Sequence, residues 1–235
     1  MDRISCRGLL FDMDGVLVDS TPAVARVWGR WAAKYGFDPD STVKRAHGRP
    51  SLATLQELLP NDSAQVHAAE NEWMERAEIE DVADVIALPG AREILASLRS
   101  SPFAVVTSAT RDLAEVRLRA AGLREYVRHL VTADDIERGK PDPEPYQKGA
   151  AAVGLSPPDC IVLEDATAGV RSGKAAGARV IGLRTTSSDE ELRSAGADWI
   201  VNDCSSIHIS PPPEGARLVL ELLDDPDDRR TPKMR

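Results

Sequence analysis

The chain is poor in cysteine, has no long apolar run and carries no excess of positive charge. Its three cysteines, Cys6, Cys160 and Cys204, are scattered and odd in number. They make no C-x-x-C pair, which argues against a zinc site and a disulfide framework and suits a reducing, cytoplasmic setting. No apolar stretch reaches the roughly 18 residues that a membrane helix needs, so no span is expected. The formal net charge is −9. That balance disfavours a general nucleic-acid or anionic-membrane surface. No internal repeat is visible, and no obligate protein partner is evident. The first motif starts at residue 12, so no signal peptide is expected before it.

What is present is ordinary in bulk and specific in detail. With 235 residues, 42% hydrophobic and 29% charged, the sequence suits one globular domain with an insertion, or two small domains. From Pro102 onward, short apolar runs alternate with helical patterns. Strands are predicted at Phe103–Val106, Leu130–Val131, Cys160–Leu163, Arg179–Leu183 and Trp199–Val201. Helices are predicted at Thr110–Ala121, Pro145–Val153 and Thr167–Ala176, each followed by a glycine: Gly122, Gly154 and Gly177. Such alternation implies an α/β fold, a doubly wound, Rossmann-like parallel sheet with ligands at the carboxyl ends of its strands.

Residues 21 to 85 differ. Helical patterns fill Ala23–Tyr35, Ser51–Leu59 and Ser63–Glu80, and strand signal is almost absent. The last of these is acidic on one side, most simply a solvated face. An α-helical cap inserted into the α/β core is therefore expected. The core would comprise residues 1–18 and 87–223, the cap 19–86, and 224–235 a disordered tail. Hinges are expected near Val18–Thr21 and Val85–Gly90.

The chemical signal starts at Leu9-Leu10-Phe11-Asp12-Met13-Asp14-Gly15-Val16-Leu17-Val18-Asp19-Ser20. Alternate side chains of a strand point the same way, so Asp12 and Asp14 leave the end of a buried strand together. Paired carboxylates resist ionising unless a cation joins them, and oxygen ligands favour magnesium. Val105-Val106-Thr107-Ser108 ends a second strand in hydroxyls. Gly139-Lys140-Pro141-Asp142-Pro143 sets a lysine on a stiff scaffold. Val162-Leu163-Glu164-Asp165, with Gly169 further on, puts adjacent acids at a third strand end.

These four segments, in this order, resemble motifs I to IV of the haloacid dehalogenase superfamily. The resemblance implies that Asp12 is a nucleophile forming an aspartyl phosphate and that Asp14 is a general acid/base. It makes Thr107 a phosphate ligand, aided by Ser108, and Lys140 a neutralising cation. Magnesium would be held by Asp12, Asp165, the Asp14 carbonyl and, directly or through water, Glu164. A phosphate site in so acidic a chain is expected to be locally basic. Asp14 argues against the dehalogenases and phosphonoacetaldehyde hydrolases of the superfamily, which lack an aspartate there.

Several stretches are more specifically similar to its glycerol-3-phosphate and 2-deoxyglucose-6-phosphate phosphatases. They are the loop His47-Gly48, Thr107 to Asp112, Gly139 to Tyr146, and Glu164 to Gly177. His47 and Arg49 are thus candidate substrate contacts in the cap, and Arg111 a candidate for the phosphate or substrate. Asp19 is expected to support the site by hydrogen bonding, while His67, His129 and His208 are expected to be structural or exposed. The implied activity is a magnesium-dependent phosphomonoesterase acting on a small sugar or polyol phosphate. Two alternatives stand beside it. One is a β-phosphoglucomutase-like mutase, which would carry histidine where Val24 stands. The other is a non-catalytic binding or regulatory protein of the same fold.

Overall fold

Strand β1 (Asp2–Cys6) is exposed at its start, whereas β2 (Gly8–Phe11) is buried at every position. A strand covered on both faces belongs in the middle of a parallel sheet. The computed structural model describes residues 2–46, 50–210 and 217–223. His47, Arg49 and the tail 224–235 lie outside the described residues.

After β2, β3 (Val18–Asp19) pairs antiparallel with β4 (Ile86–Ala87). Between them come α1 (Thr21–Tyr35), α2 (Pro39–Ala46), α3 (Ser51–Leu58) and α4 (Ala64–Glu80). The chain then runs α5 (Ala91–Ser97), β5 (Phe103–Val106), α6 (Arg111–Ala120), β6 (Leu130–Val131) and α7 (Glu144–Ala152). It continues through β7 (Cys160–Glu164), α8 (Thr167–Ala175), β8 (Arg179–Leu183), α9 (Asp189–Ala195) and β9 (Trp199–Val201). Strands β10 (Ile207–Ser210) and β11 (Leu218–Leu222) follow.

The main sheet has the order β6-β5-β2-β7-β8-β9, with every neighbouring pair parallel. From β2 the chain first builds outward through β5 and β6, then crosses back to β7. The order therefore reverses at β2, where a crevice opens at the carboxyl ends. Period-two alternation divides the core: Leu9, Phe11, Val105, Ile161, Leu163 and Ile181 pack on one face, and Leu10, Ala104, Val106, Val162 and Val180 on the other. Phe11 meets Phe103 edge-on, with ring centroids 6.0 Å apart.

The four inserted helices have a cluster of their own around Val27, Trp28, Trp31, Leu55 and Met74. Trp31 stacks on Phe37 at 5.6 Å and donates its indole N–H to Glu70 of α4, which also takes Lys34 at 2.7 Å. His67 is buried against the Leu59 carbonyl, and His129 and His208 are exposed. One expectation is corrected here. The acidic side of α4 is solvated only in part: Glu72 and Glu80 are exposed, but Glu70 and Glu78 are buried, each held by a cation from another helix.

A second sheet, β1-β11-β10, is antiparallel and was not foreseen. Its inward residues Cys6, Ile207, Ile209, Leu218, Leu220 and Leu222 join the core on the Leu9 face. The three cysteines are free and buried, and burial pushes the thiols of Cys6, Cys160 and Cys204 up to about 12, 11 and 12. They are packing residues, not nucleophiles.

Leu220 is fully buried and is flanked by Ile4 and Ile209 on the two neighbouring strands. Leu220→Ala should cost about 2–5 kcal/mol in urea unfolding. A loss below about 1 kcal/mol would show that the second sheet adds little to the core.

Candidate active site

Three strand ends meet at the switch point. Asp12 follows β2 and its backbone N–H donates to the Leu163 carbonyl of β7 at 3.0 Å. Thr107 follows β5. Glu164 closes β7 and Asp165 comes next. Each apolar strand is pinned by its two neighbours, so the polar residue that ends it has little freedom of position.

Lys140, in the loop before α7, joins these ends. Its ammonium donates to Asp12 Oδ1 at 2.5 Å, Glu164 Oε1 at 2.6 Å and the Val106 carbonyl at 3.2 Å. Tyr146 of α7 donates its hydroxyl to the same Glu164 oxygen at 2.6 Å. The other Glu164 oxygen accepts the backbone N–H groups of Asp165 and Ala166. Burial pulls the lysine downward, but Asp12 and Glu164 outweigh it and hold the ammonium charged. Burial pushes the Asp12 carboxyl up to about 7 against the pull of Lys140, with Glu164 adding to the rise. Asp165 is raised by burial and by the charges of Glu164 and Asp12.

Asp12, Glu164 and Asp165 bring carboxylate oxygens within 4.8 Å of one another. Three buried carboxylates against one ammonium leave the cluster short of positive charge. An all-oxygen donor set without thiol or imidazole fits a hard divalent cation. Asp14 contributes no side chain to this group, and its expected part is through its main-chain carbonyl. Thr186, from the loop after β8, donates its hydroxyl to Asp165 and fixes that carboxylate.

Two motif glycines are explained by close approach. A Cβ on Gly169 would lie 1.7 Å from Glu164 Oε1. A Cβ on Gly15 would lie 2.0 Å from Asp165 Oδ2, and Gly15 has φ +80° as well.

Asp14 is held separately. Ser20 Oγ donates to its Oδ1 at 2.6 Å, and Arg117 of α6 lies 3.0 Å from the same oxygen. Arg117 also donates to Glu78 of α4 at 3.0 Å, and both side chains are buried. Burial raises the Glu78 carboxyl despite Arg117. Sequence reasoning missed Arg117, Glu78, Tyr146 and Thr186. The legible signal for Arg117 was its place in the stripe Leu113, Ala114, Arg117, Leu118, where i, i+3, i+4 spacing calls for an apolar residue.

The remaining candidates divide. Thr107 and Ser108 line the pocket. Thr107 Oγ1 accepts the Ala109 N–H at 3.1 Å, so that donor is engaged with Thr107 and the hydroxyl hydrogen is left to bond a ligand. Arg111 does not line the pocket. Its guanidinium is drawn to Asp135 at 2.5 Å, and its backbone N–H to Asp134. Asp19 accepts the Thr21 N–H at the start of α1, and it is Ser20 that bonds Asp14. His47 and Arg49 lie outside the described residues.

The cavity holds about 340 Å³ between the strand ends and the inserted helices. Asp12, Asp14, Glu75, Glu78, Glu164 and Asp165 line it, against Lys140 and Arg117. A locally basic site was expected; among the described residues that line the cavity, the charges are mostly negative.

Gly169→Ala should displace the Glu164 carboxylate and strip Lys140 and Tyr146 of their shared acceptor. The cost in unfolding free energy should be about 1–3 kcal/mol for each buried group left unpaired, more for the charged one. An unchanged urea midpoint would show that Glu164 is not anchored by this contact.

Comparison with known proteins agrees with the geometry. Residues 9–183 match the family described as haloacid dehalogenase-like hydrolase. The chain is 38% identical over 216 residues to hexitol phosphatase A of Escherichia coli (strain K12), covering 91% of this chain and 99% of that one. It is 34% identical over 215 residues to glycerol-1-phosphate phosphohydrolase 2 of Saccharomyces cerevisiae, covering 85% of this chain and 83% of that one. A solved hydrolase from Pseudomonas syringae superposes with a TM-score of 0.77 at 26% identity, covering 85% of this chain and 94% of that one. Strand ends, motif order and relatives converge: the chain belongs to the haloacid dehalogenase-like hydrolases.

Proposed function

We propose that this protein is a magnesium-dependent phosphomonoesterase that hydrolyses a small sugar or polyol phosphate through an aspartyl phosphate. The observation that carries the reading is the Lys140 ammonium bonded to Asp12 and Glu164 beside the Thr107 hydroxyl. A carboxylate so placed is a nucleophile with its charge balanced and its direction fixed. Asp12 attacks phosphorus, and the bond to the ester oxygen breaks. Asp14 gives its proton to the departing alkoxide. The resulting Asp14 carboxylate then takes a proton from water as that water attacks the phosphoenzyme and releases Asp12. Lys140 and Thr107 stabilise the equatorial oxygens. Asp12, Asp165, the Asp14 carbonyl and Glu164 would hold the magnesium, which supplies the positive charge that the pocket lacks.

The substrate class rests on the relatives' activities, given by their names as hexitol and glycerol-1-phosphate phosphatases, and on the pocket. The four-helix insertion acts as the cap, and α4 lends it Asn71 and Glu75 as hydroxyl partners beside the apolar Val24, Trp28 and Leu52. A cavity of about 340 Å³ suits a small metabolite.

Phosphate release should be measured on a hexitol phosphate, glycerol 1-phosphate and 2-deoxyglucose 6-phosphate with magnesium. Bisphosphate-dependent isomerisation of glucose 1-phosphate without phosphate release would favour the mutase instead. Asp12→Asn should fold and lose turnover, because an amide is not a nucleophile; retention of more than about a tenth of the rate would exclude the covalent route.

Magnesium should also raise the melting temperature of the resting protein, and Asp165→Asn should lose that response. At roughly 100 times Kd the stabilisation should be about 2.7 kcal/mol. Full activity in excess EDTA, with bound metal verified as nil, would contradict the metal assignment.

A further inference from the structure

The inserted helices touch the core through α6. Glu75 and Glu78 lie three residues apart on one side of α4. Glu75 accepts the Thr110 hydroxyl at the start of α6, and Glu78 takes Arg117 two turns on. The second contact reaches the catalytic machinery. One nitrogen of the Arg117 guanidinium lies 3.0 Å from Glu78, and the other lies 3.0 Å from Asp14 Oδ1. Arg117 is only 5% exposed and Glu78 only 6%. Among the described residues, Arg117 is the partner that Glu78 has. Ser20 shares Oδ1 of Asp14, and among the described residues none bonds Oδ2.

A buried carboxylate without a partner is strongly unfavourable. Glu78 therefore holds a buried place only while α4 is docked against Arg117. A guanidinium presents a rigid planar fork, so engaging Glu78 with one nitrogen fixes where the other meets Asp14. The Ser20 hydrogen bond and the Arg117 ion pair both fall on one Asp14 oxygen, which leaves the second for a substrate.

We propose that Arg117 is a positioning residue that ties docking of the helical cap, through Glu78, to the orientation of Asp14 toward the leaving group. The proposal rests on the phosphomonoesterase reading above, in which Asp14 protonates the departing alcohol.

The test exploits the leaving group. An alkoxide needs a proton as it departs, whereas p-nitrophenolate leaves as a stable anion. Wild type, E78Q, R117K and R117M/E78M are compared on p-nitrophenyl phosphate and on the alkyl phosphate that wild type hydrolyses best. The double variant removes both buried charges, so neither is left unpaired. If it fails to fold, as judged by thermal melting, R117K and E78Q carry the comparison.

R117M/E78M should lose at least about tenfold in kcat on the alkyl ester, the low end for general acid catalysis, with less than about a threefold loss on the aryl ester and KM values little changed. R117K, which keeps the charge but not the fork, should recover part of the loss. E78Q should show the same selectivity to a smaller degree. Equal losses on both esters, or no loss on either, overturns the proposal. An E78Q variant with an unchanged ratio between the esters overturns the link through the cap. Should wild type release phosphate from no monoester, the phosphatase reading falls and this proposal with it; wild-type turnover with unselective variants overturns this proposal alone.

Discussion

Everything at the switch point depends on one ammonium among buried carboxylates. Lys140 is the cation that Asp12 and Glu164 share, and Glu164 is in turn held by Tyr146 and two backbone N–H groups. The lysine stays charged because both acids surround it. The acids are tolerated because the lysine and the hydrogen bonds offset part of their desolvation. Glu164 is therefore first an anchor for the lysine, and its carboxylate also belongs to the acidic cluster that could hold a metal. That division also explains the spacing of motif IV, where Gly169 must lack a side chain for the Glu164 carboxylate to sit where it does.

The same arithmetic of charge shapes the rest of the pocket. Acidic side chains outnumber basic ones around it, and both of its cations are already paired with carboxylates. Among the described residues, an incoming phosphate finds no unpaired cation in the pocket. A divalent cation at the Asp12, Glu164 and Asp165 cluster would supply charge for binding as well as for the chemical step.

Much of this was readable because the motif residues sit at the ends of short, strongly apolar strands. Leu9 to Phe11, Phe103 to Val106 and Cys160 to Leu163 could be placed from hydrophobic runs alone, and the polar residue after each marked a strand end. What escaped was set by tertiary contact. Strands β1, β10 and β11 are short, and the alternation in Leu218, Leu220 and Leu222 spans too few residues to stand out before pairing is known. Glu70 and Glu78 looked solvated because their partners, Lys34 and Arg117, lie on other helices. Arg111 looked available because Asp135, which captures it, lies in a turn 24 residues away.

The ribbon formed by β3 and β4 has a further consequence. Val18 pairs with Ala87 and Asp19 with Ile86, so the chain leaves and re-enters the core on adjacent strands. Seen from the sheet, the four helices occupy the place of a hairpin loop. Their entry and exit are separated by about one strand spacing, roughly 4.7–4.9 Å, whatever the length of what lies between. The core is therefore indifferent to the size of its insertion. Helices could be added, trimmed or exchanged there without moving the strand ends that carry Asp12, Glu164 and Asp165, so one sheet can carry insertions of many sizes.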